Sequence, residues 1–481
     1  MSSRTADVLE DPDWASLTVV VAGAGVTGRA VVTSLNRRGA AVHVVDARLV
    51  PGSAAMAEWE AAGVTADDDE MGALLPAHLL VMSPGWRPDA PIVQAARALG
   101  VPIVGELDLA WTLQQQRGGQ GPAWLALTGT NGKTTAVTML ESILRADGRR
   151  VASVGNVGRP IIEAVDADDP YEVLALELSS FQLHSSRLMR PYASAVLNVA
   201  VDHLDWHGGF DAYLHSKGRI YERTLDTCVY TVEEPLTREL VENADVHEGC
   251  RAVGTTLGLP AVGELGVAEG LLLDRAFEPD RRDHATEIAA IADIEPPAPH
   301  NVANALSAAA LARSFGAAPD SVAQGLHDFT SQPHRISTVA VIDGVRWVDD
   351  SKATNPHAAA ASLASFDDIV WVAGGLAKGA GFDELVASAA SRLRAVVVIG
   401  SDRGLVVEAV GRHAPDVPVI DVDDAETGPM LLMRSVVEAA RRHAVEGSTV
   451  LLAPACASMD RFADYHQRGE AFADAVRELQ R

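Results

Sequence analysis

The stretch LTGTNGKTT, residues 127–135, restricts the fold of this chain more than any other part of the sequence. The apolar run AWLALTG overlaps its start, and AVTMLESILRADG, with apolar residues at helical spacing, follows it. In such a strand, turn and helix, backbone amides can surround phosphate oxygens, while Lys133 adds a positive charge and Thr134 a hydroxyl for Mg2+. The turn departs from the standard pattern G-x-x-x-x-G-K-S/T, because Leu127 replaces the first glycine and the nearest glycine is Gly129. We nevertheless predict a phosphate-binding loop within an α/β domain.

A second glycine-rich turn lies in LTVVVAGAGVTGRAVVTSLNRRGAAVHVVDAR, which begins at Leu17. Gly23, Gly25 and Gly28 form a G-x-G-x-x-G pattern between an apolar run and a helix-like stretch, and a second apolar run ends at Asp46. Glycine at such a turn lets a diphosphate approach a helix N-terminus. The acid 18 residues after the last glycine favours nucleotide binding over tight packing alone.

Two more apolar runs of the middle segment end near acidic residues. YEVLALELSSFQL places Glu177 at a strand end, and ASAVLNVAVDHLDWH places Asp202, His203 and Asp205 just past another. The carboxyl ends of parallel strands border one crevice, so we expect these side chains to converge on the phosphate loop. Hard oxygen ligands suit Mg2+, and Glu177 is the first choice of ligand. Each of these residues alone is better explained as a solvated acid or a satisfied histidine, and it is their shared position that favours a functional role.

The chain from about 225 to 295 shows a less regular pattern, and it indicates no chemistry. The proline-rich break PPAPHN then leads into an alanine-rich helix that carries Asn301 and Asn304 in its first turns, where they would act as caps or as ligand groups.

The last segment contains VAVIDGVRWV, in which two β runs flank Asp343 and Gly344, a strong hairpin signal. DDSKATN, WVAGGLAKGAGF and LLAPACASMDRFADYHQRG repeat one pattern of apolar strand, small-residue loop and polar side chains. We expect these loops to line one face of a third α/β domain, although each alone also fits a well-capped helix start.

Length and charge limit the remaining options. The chain has 481 residues, well beyond the ~250 to 300 at which one hydrophobic core stops growing, so two or three domains are expected. Sixty-five acidic against 39 basic residues give a formal charge of -26, and no basic stripe is interleaved with aromatic residues. This balance argues against a nucleic-acid partner.

The three cysteines, Cys228, Cys250 and Cys456, form no C-x-x-C spacing and leave an odd number. They indicate neither a disulfide framework nor a zinc site, and they favour a reducing compartment. The polar, acidic start MSSRTADVLEDPDW lacks the apolar core of a signal peptide, and no apolar run reaches the ~18 residues that span a bilayer. We expect a cytoplasmic protein without membrane insertion.

Taken together, TGTNGKTT, ELSSFQL, Asp202-His203, HN at 300–301, PHR at 333–335 and DDSKATN resemble the Mur ligase family over nearly the whole chain. The resemblance implies a Rossmann-like N-terminal domain over 1–104 that binds a UDP-linked substrate. It also implies a central P-loop ATPase-type mixed α/β domain over 105–331 and a Rossmann-like, amino-acid-binding C-terminal domain over 332–481.

DSKATN at 350–355 and PACASMDRF at 454–462 are similar to the members that take D-glutamate, and the DNPR motif of the diamino-acid ligases is absent. The resemblance thus implies that ATP phosphorylates the carboxylate of UDP-N-acetylmuramoyl-L-alanine and that the amine of D-glutamate attacks the acyl phosphate. ATP and two Mg2+ ions are the implied cofactors, in a monomer that serves peptidoglycan precursor synthesis.

Roles in catalysis and in metal binding pass to the matching positions. The implied catalytic residues are Lys133, Glu177, His203 and Lys217, and the implied metal ligands are Thr134, Glu177, His203 and Lys217. Lys217 matches a lysine that the family carries in carbamylated form, in which carbon dioxide converts the amine into a carboxylate-like ligand. The alternative for Lys217 is an ordinary lysine on a helix surface.

The resemblance also implies which residues bind the ligands. The implied ATP-binding residues are Gly129, Thr130, Asn131, Gly132, Lys133, Thr134, Thr135, Asn301, Asn304, His334, Arg335 and Asp350. Those implied for the UDP-linked substrate are Gly25, Val26, Thr27, Gly28, Asp46, Arg48, Ser83, Gly85 and Asn156. Those implied for D-glutamate are Lys352, Thr354, Lys378, Ser458 and Tyr465.

Three positions depart from the family pattern and affect substrate contacts. Ala47 stands where a hydroxyl often helps to hold uracil, Leu376 stands where an Asp often follows the glycine pair, and Tyr465 replaces a Phe.

Three rival functions remain open. A ligase of the same family could use another amino acid, as in L-alanine addition or folylpolyglutamate synthesis. A nicotinamide-dependent dehydrogenase would explain the first glycine turn but not LTGTNGKTT. A nucleotide-gated binding protein would hydrolyse ATP slowly, without stimulation by any amino acid.

Overall fold

Three β-sheets, with helices packed on them, organise the chain. The computed structural model describes residues 8–50, 52–62, 64–68, 70–118, 121–330, 333–422 and 428–480. The described residues form two compact units: the first holds the first two sheets, and the second holds the third sheet. The expected domain boundary at 331/332 lies outside the described residues, and the boundary at 104/105 falls inside the last strand of the first sheet.

The first sheet is parallel, with strand order β3-β2-β1-β4-β5. Its strands are β1 Thr18–Ala22, β2 Ala41–Val45, β3 Thr65–Asp67, β4 Leu79–Met82 and β5 Ile103–Gly105, and its helices are α1 Val26–Arg37, α2 Ala54–Ala61, α3 Glu70–Leu74, α4 Pro91–Leu99 and α5 Glu106–Gln115. The predicted β-α-β unit is confirmed. A Cβ at Gly28 would lie 1.9 Å from the carbonyl oxygen of Gly23, so α1 can start this close to β1 only with glycine there.

The middle sheet has strand order β14-β13-β12-β11-β10-β9-β6-β8-β7 and is parallel from β7 to β12. Its strands are β6 Ala123–Thr128, β7 Val151–Gly155, β8 Val173–Glu177, β9 Ala193–Val196, β10 Thr227–Thr231, β11 Arg251–Thr255, β12 Glu264–Ala268, β13 Leu271–Asp274 and β14 Thr286–Ala290. Its helices are α6 Lys133–Ala146, α7 Ile161–Val165, α8 Ser180–Ser185, α9 Leu204–His207, α10 Phe210–Gly218, α11 Pro235–Glu242, α12 Pro299–Ser314 and α13 Pro319–His327.

The interpretation of 225–295 as less regular is wrong, because five strands and α11 occupy that stretch. These strands have only four or five residues each, too few for a clear period. β12 and β13 form an antiparallel hairpin whose turn, Glu269 and Gly270, has positive φ at both residues.

The third sheet has strand order β15-β16-β20-β17-β18-β19, in which only the β15–β16 pair is antiparallel. Its strands are β15 Ser337–Ile342, β16 Val345–Asp349, β17 Ile369–Gly374, β18 Leu393–Ile399, β19 Val419–Asp421 and β20 Thr449–Leu452, and its helices are α14 Pro356–Leu363, α15 Asp383–Ala389, α16 Arg403–His413, α17 Pro429–His443 and α18 Tyr465–Glu478. The predicted hairpin is confirmed, with φ of 51° at Asp343 and 75° at Gly344.

The first two sheets share one hydrophobic cluster, which includes Leu35 of α1, Trp124 of β6 and Ile162 of α7. Burying each such side chain contributes roughly 1.5–3 kcal/mol. At its edge, Arg38 forms an ion pair of 2.6 Å with Asp166. This shared core holds the first glycine turn and the phosphate loop in one unit, whereas the third sheet has separate clusters on its two faces.

The three cysteines are free thiols, although β10 and the start of β11 bring the sulfurs of Cys228 and Cys250 within 3.7 Å. Among the described residues, no helix combines the length and the apolarity needed to cross a bilayer.

Candidate active site

The phosphate loop lies between β6 and α6, as predicted. Two lysines point at one of its carbonyl groups: the Nζ atoms of Lys133 and Lys217 lie 2.9 and 2.7 Å from the oxygen of Gly129. Lys217 is only 2% exposed on α10, so the interpretation as a surface lysine is wrong. Two cations beside one carbonyl favour the arrival of an anion here.

Two side chains outside the predicted set support the loop. Asn198, which follows β9, accepts a hydrogen bond from the backbone N–H of Asn131 (2.9 Å) and donates one to its carbonyl (3.1 Å). The hydroxyls of Thr130 and Tyr213 lie 2.8 Å apart. Sequence reasoning missed Asn198, and the only available signal was a polar residue directly after an apolar strand.

Helix α12 covers the other side of the loop. Gly132 has a φ of 80°, and a Cβ there would lie 2.3 Å from Oδ1 of Asn304. Asn301 and Asn304 are both buried, within α12 rather than at its cap position. Asn304 therefore packs on the loop that is expected to hold ATP phosphates.

Glu177 ends β8 and is 1% exposed. Its Oε1 accepts a hydrogen bond of 2.9 Å from Nδ2 of Asn156, and its Oε2 is buried without a hydrogen-bond partner among the described residues. A buried carboxylate oxygen without a donor carries a desolvation cost that a cation would offset. Glu177 thus fits the expected Mg2+ ion, and Asn156, predicted to face the substrate, orients it.

The described residues contain no group of three His, Cys, Asp or Glu side chains arranged to hold a metal ion. The predicted convergence of Glu177, Asp202, His203 and Asp205 on the phosphate loop therefore stays a prediction. The side chain of Asp205 is exposed on the short helix α9, and its carbonyl accepts a hydrogen bond of 2.9 Å from Arg87. His203, at a φ of 52°, packs edge-on against Phe181, with 4.8 Å between ring centroids.

A histidine network lies between α8, α9 and α10. Nε2 of His207 lies 3.0 Å from the Ser180 hydroxyl, and Nδ1 lies 3.4 Å from that of Ser216. Nδ1 of His184 lies 3.2 Å from the same Ser216 hydroxyl. Burial lowers the pKa of His207 to about 4 and also lowers that of His184, so both rings are neutral at neutral pH.

A cavity of 800 Å3 opens at the first glycine turn. The residues predicted for the UDP-linked substrate that line it are Gly25, Val26, Thr27, Asp46, Arg48, Ser83 and Gly85. Gly28 lies behind the turn and does not line it. Trp86 and Arg87 also line the cavity, and sequence reasoning missed both.

Asp46 is fully engaged in this cavity. Its carboxylate accepts hydrogen bonds from the backbone N–H of Ala24 (2.8 Å) and from Nε and Nη2 of Arg48 (2.8 and 2.7 Å). The hydrogen bond from Arg48 holds the pKa of Asp46 well below its usual value, so the side chain stays ionised.

In the second unit, His334 and Asp350 lie beside β16. Nδ1 of His334 is 2.6 Å from Oδ2 of Asp349, and this contact raises the pKa of His334. Asp350 is buried and accepts a hydrogen bond from Ser362, and burial raises its pKa to about 6. Arg335 directly follows His334 in the chain, and its positive charge opposes the rise in the pKa of Asp350.

The residues predicted for D-glutamate lie in loops of the same unit. Nζ of Lys352 lies 3.8 Å from the centre of the Tyr465 ring, a cation–π contact. Thr354 is two residues further along the DDSKATN loop, and Ser458 is buried in the loop after β20. Lys378, at a φ of 50°, is exposed in the loop after β17.

Arg468, in the second unit, is another residue that sequence reasoning missed. Its buried guanidinium donates to the hydroxyl and carbonyl of Ser351 (3.0 and 2.8 Å) and to the carbonyl of Cys456 (3.1 Å). It therefore joins the DDSKATN and PACAS loops. The arginine lies on α18, in a stretch without any strong local pattern.

Three domain models match the chain in order. The Mur ligase MurD-like N-terminal domain matches residues 17–105, the Mur ligase middle domain 127–312, and the Mur ligase glutamate ligase domain 334–456. The chain belongs to the Mur ligase family.

Relatives of this Mur ligase match it from end to end. The UDP-N-acetylmuramoylalanine--D-glutamate ligase of Streptomyces avermitilis is 55% identical over 97% of this chain and 99% of its own length. Proteins of the same name from Thermobifida fusca and Mycolicibacterium smegmatis are 52% and 45% identical over 96% and 95% of the chain and 98% and 96% of their own lengths.

Solved structures share the fold at low identity. MurF from Acinetobacter baumannii superposes with a TM-score of 0.61 at 17% identity, covering 91% of each chain. MurF ligase from Thermotoga maritima, in complex with ADP, gives 0.53 at 17% identity and covers 85% of this chain and 91% of its own. The three-domain α/β architecture of the Mur ligases is thus confirmed.

The structure shows the surroundings of the three residues of this Mur ligase that depart from the family pattern. Ala47 lines the first cavity. Leu376 exchanges two backbone hydrogen bonds of 2.9 Å with Ala457, so the main chain at this position ties the loops after β17 and β20 together. Tyr465 places its ring against Lys352.

Proposed function

We propose that this Mur ligase joins D-glutamate to UDP-N-acetylmuramoyl-L-alanine in an ATP-dependent step of peptidoglycan precursor synthesis. The observation that carries the proposal is end-to-end similarity, at 55% identity, to a ligase named for this reaction. The phosphate loop with its two lysines and the substrate-sized cavity at the first glycine turn support the same conclusion.

The reaction needs activation because a carboxylate has no good leaving group. An oxygen of the L-alanyl carboxylate attacks the γ-phosphorus of ATP, and the bond to ADP breaks as the acyl phosphate forms. The amine of D-glutamate then attacks the carbonyl carbon, a C–N bond forms, inorganic phosphate leaves, and the former amine releases a proton. Catalysis consists mainly of positioning and of stabilising phosphoryl charge.

Lys133 is assigned to stabilise the negative charge of the transferred phosphoryl group. Its ammonium group lies at the loop, where Gly129 and Thr130 carbonyls hold it at 2.9 Å each. In the proposed complex it donates to the phosphate that moves between ATP and the acyl group. The backbone of residues 129–135 surrounds the remaining phosphate oxygens, and Asn301, Asn304, His334, Arg335 and Asp350 are assigned to the rest of the nucleotide.

Two Mg2+ ions would neutralise phosphate charge, with Thr134 and Glu177 holding one and His203 and Lys217 the other. The buried Oε2 of Glu177 supports the first assignment. For the second, we propose that Lys217 is carbamylated: its neutral amine attacks carbon dioxide, the N–C bond forms and a proton leaves. The change would replace one of two cations beside the Gly129 carbonyl with an anion.

The two substrates are assigned to separate sets of residues. The cavity at the first turn would bind UDP, with Gly25 to Gly28 at the diphosphate and Asp46 and Arg48 near the uridine. Asn156 would face the muramoyl part. Lys352, Thr354, Lys378, Ser458 and Tyr465 would bind D-glutamate, whose two carboxylates require cations and hydroxyls.

We further propose a cytoplasmic monomer without membrane insertion, since ATP and UDP-linked sugars are cytoplasmic metabolites.

The test is release of phosphate from ATP by the purified chain with Mg2+ and UDP-N-acetylmuramoyl-L-alanine. D-glutamate, L-glutamate, L-alanine and meso-diaminopimelate are added in turn. We expect release that requires both the nucleotide sugar and D-glutamate. Release with a different amino acid would overturn the acceptor, and release that no amino acid stimulates would overturn ligase activity.

A further inference from the structure

His207 occupies a position between the two elements that carry Glu177 and Lys217. Ser180, which its Nε2 contacts at 3.0 Å, begins α8, three residues after Glu177. Ser216, which its Nδ1 contacts at 3.4 Å, directly precedes Lys217 on α10. One imidazole ring therefore links the segment that follows Glu177, the expected acidic metal ligand, to the helix that carries the buried Lys217.

The hydrogen-bond directions in this bridge are determined by a third contact. The Ser216 hydroxyl donates to the carbonyl of Ala212 at 2.7 Å, so toward His207 its oxygen accepts. A ring with its proton on Nδ1 donates to Ser216 and accepts the hydroxyl proton of Ser180 on Nε2. Both ring nitrogens are then satisfied, and the ring has one preferred orientation.

Ring packing fixes the same side chain. His207 stacks on Phe181, with 5.7 Å between centroids and an interplanar angle of 10°, and meets Tyr213 edge-on at 5.3 Å. Tyr213 in turn contacts the Thr130 hydroxyl of the phosphate loop, and Nζ of Lys217 lies 4.7 Å from its ring centre. The bridge thus reaches the phosphate loop through one further side chain.

We propose that His207 is a positioning residue of the ligase reaction, which holds the Lys217 helix in register with the Glu177 strand end through its hydrogen bonds to Ser216 and Ser180. Its role is to keep the groups expected to bind Mg2+ and ATP phosphates at fixed separations. The inference rests on the proposed function, because it assigns His207 to the same site.

The decisive variant is His207→Phe, which keeps a flat ring against Phe181 but removes both hydrogen bonds. A residue that acts only by packing would tolerate this change. We expect kcat to fall roughly 10- to 100-fold, because small misplacements of reacting groups are costly, while KM for the UDP-linked substrate changes less than about twofold. Binding of Mn2+ in the presence of ADP, followed by electron paramagnetic resonance, should weaken by about tenfold.

Two partial replacements keep the inference testable if His207→Phe folds poorly. The amide of His207→Asn can still donate toward Ser216, and that of His207→Gln can still accept from Ser180. Each should restore part of the Mn2+ affinity that the Phe variant loses. The double variant His207→Phe/Ser216→Ala should bind Mn2+ no more weakly than the weaker-binding single variant, because both changes remove the same hydrogen bond.

His215→Phe is the matched control, since His215 is exposed on α10, the helix that carries Ser216 and Lys217, and it should behave as the unchanged protein. Unchanged kcat and Mn2+ binding in His207→Phe, or an equal loss in the control, would overturn the inference. The unchanged protein tests the proposed function separately: if it uses another amino acid, that function falls, and the Mn2+ titrations still decide the role of His207.

Discussion

The glycine-rich turns after β1 and after β6 both lead into a helix, and each lies next to a strand that ends at an acid. Asp46 follows β2 and accepts hydrogen bonds from Ala24 and Arg48, so its charge is fully engaged within the protein. Glu177 ends β8 and has one buried oxygen without a partner among the described residues. The first acid stabilises the shape of a cavity, whereas the second, under the proposed function, would bind a cation that arrives with the nucleotide.

The basic side chains at the two turns also make different contacts. The residues lining the first cavity include Arg48 and Arg87, each engaged by a carboxylate at 2.7 and 3.1 Å. At the second turn, Lys133 and Lys217 donate to the backbone carbonyl of Gly129. Under the proposed function, the first turn would hold a diphosphate that does not react, and the second would bind the phosphoryl group that is transferred.

The strongest test of this difference is Lys133→Met, which removes the cation from the reacting turn only. We expect kcat to fall by about 10³-fold or more, since charge stabilisation dominates phosphoryl transfer. Binding of the UDP-linked substrate, measured by calorimetry, should stay within about twofold. Arg145→Met, an exposed change on the same helix, is the control and should leave both quantities unchanged; a Lys133 variant with near-normal kcat would contradict the comparison.

Glu177→Gln should have the next largest effect. The amide keeps the shape of the side chain but provides neither the charge nor the free oxygen for Mg2+, so kcat should fall roughly 100-fold. The thermal stabilisation that ADP provides should lose its dependence on Mg2+, which differential scanning fluorimetry would detect. Glu172→Gln, a partly exposed change just before β8, is the control. A Glu177 variant that still responds to Mg2+ would remove this acid from the metal site.

Asp46→Asn tests the engaged acid. Its charged hydrogen bonds to Arg48 and Ala24 weaken, so KM for the UDP-linked substrate should rise by about tenfold, while kcat changes less than threefold. Initial rates at varied substrate concentration separate the two effects. Glu58→Gln, an exposed change in the same domain, should alter neither. A fall in kcat without a change in KM would show that the first turn takes part in the chemistry.

Glu106 is a third acid at a strand end, and its burial predicts a dependence of stability on pH. It directly follows β5, and burial raises its pKa to about 7, so folding favours its protonated form. The stability that this proton contributes is complete below the ordinary value of 4.5 and is lost as pH rises to about 7.

Glu106→Gln, which cannot ionise, should therefore match the unchanged protein in thermal stability near pH 5. At pH 8 it should melt higher by roughly 3 °C. Melting curves across this range provide the measurement, with the exposed Glu172→Gln as the control. An equal difference at both pH values would show that Glu106 does not titrate between them.

The local elements of the site could be predicted from the sequence because their signals are local. Glycine, lysine and threonine at 129–135 define the phosphate loop within a few residues, and Asp343-Gly344 defines its hairpin. The contributions of Asn198, His207 and Arg468 depend on which strands become neighbours and which helices pack together, and no short pattern encodes these contacts. The strands between 225 and 295 were missed because four or five residues are too few to show a period.

The acids near the strand ends differ in how closely they follow the strand. Glu177 is itself the last residue of β8 and is buried, whereas Asp205 lies on α9, well past the end of β9. The sequence spacing alone does not distinguish these two positions.

The absence of a side chain at Gly132 also restricts which residues can be combined at positions 132 and 304. The space that a Cβ would fill lies 2.3 Å from the Asn304 amide oxygen, on a helix that starts more than 160 residues later. A larger residue at 132 would require a smaller one at 304, but that smaller residue would give up its contact with the loop. An engineered ligase built by exchanging the phosphate loop alone would therefore need the matching stretch of α12 from the same parent.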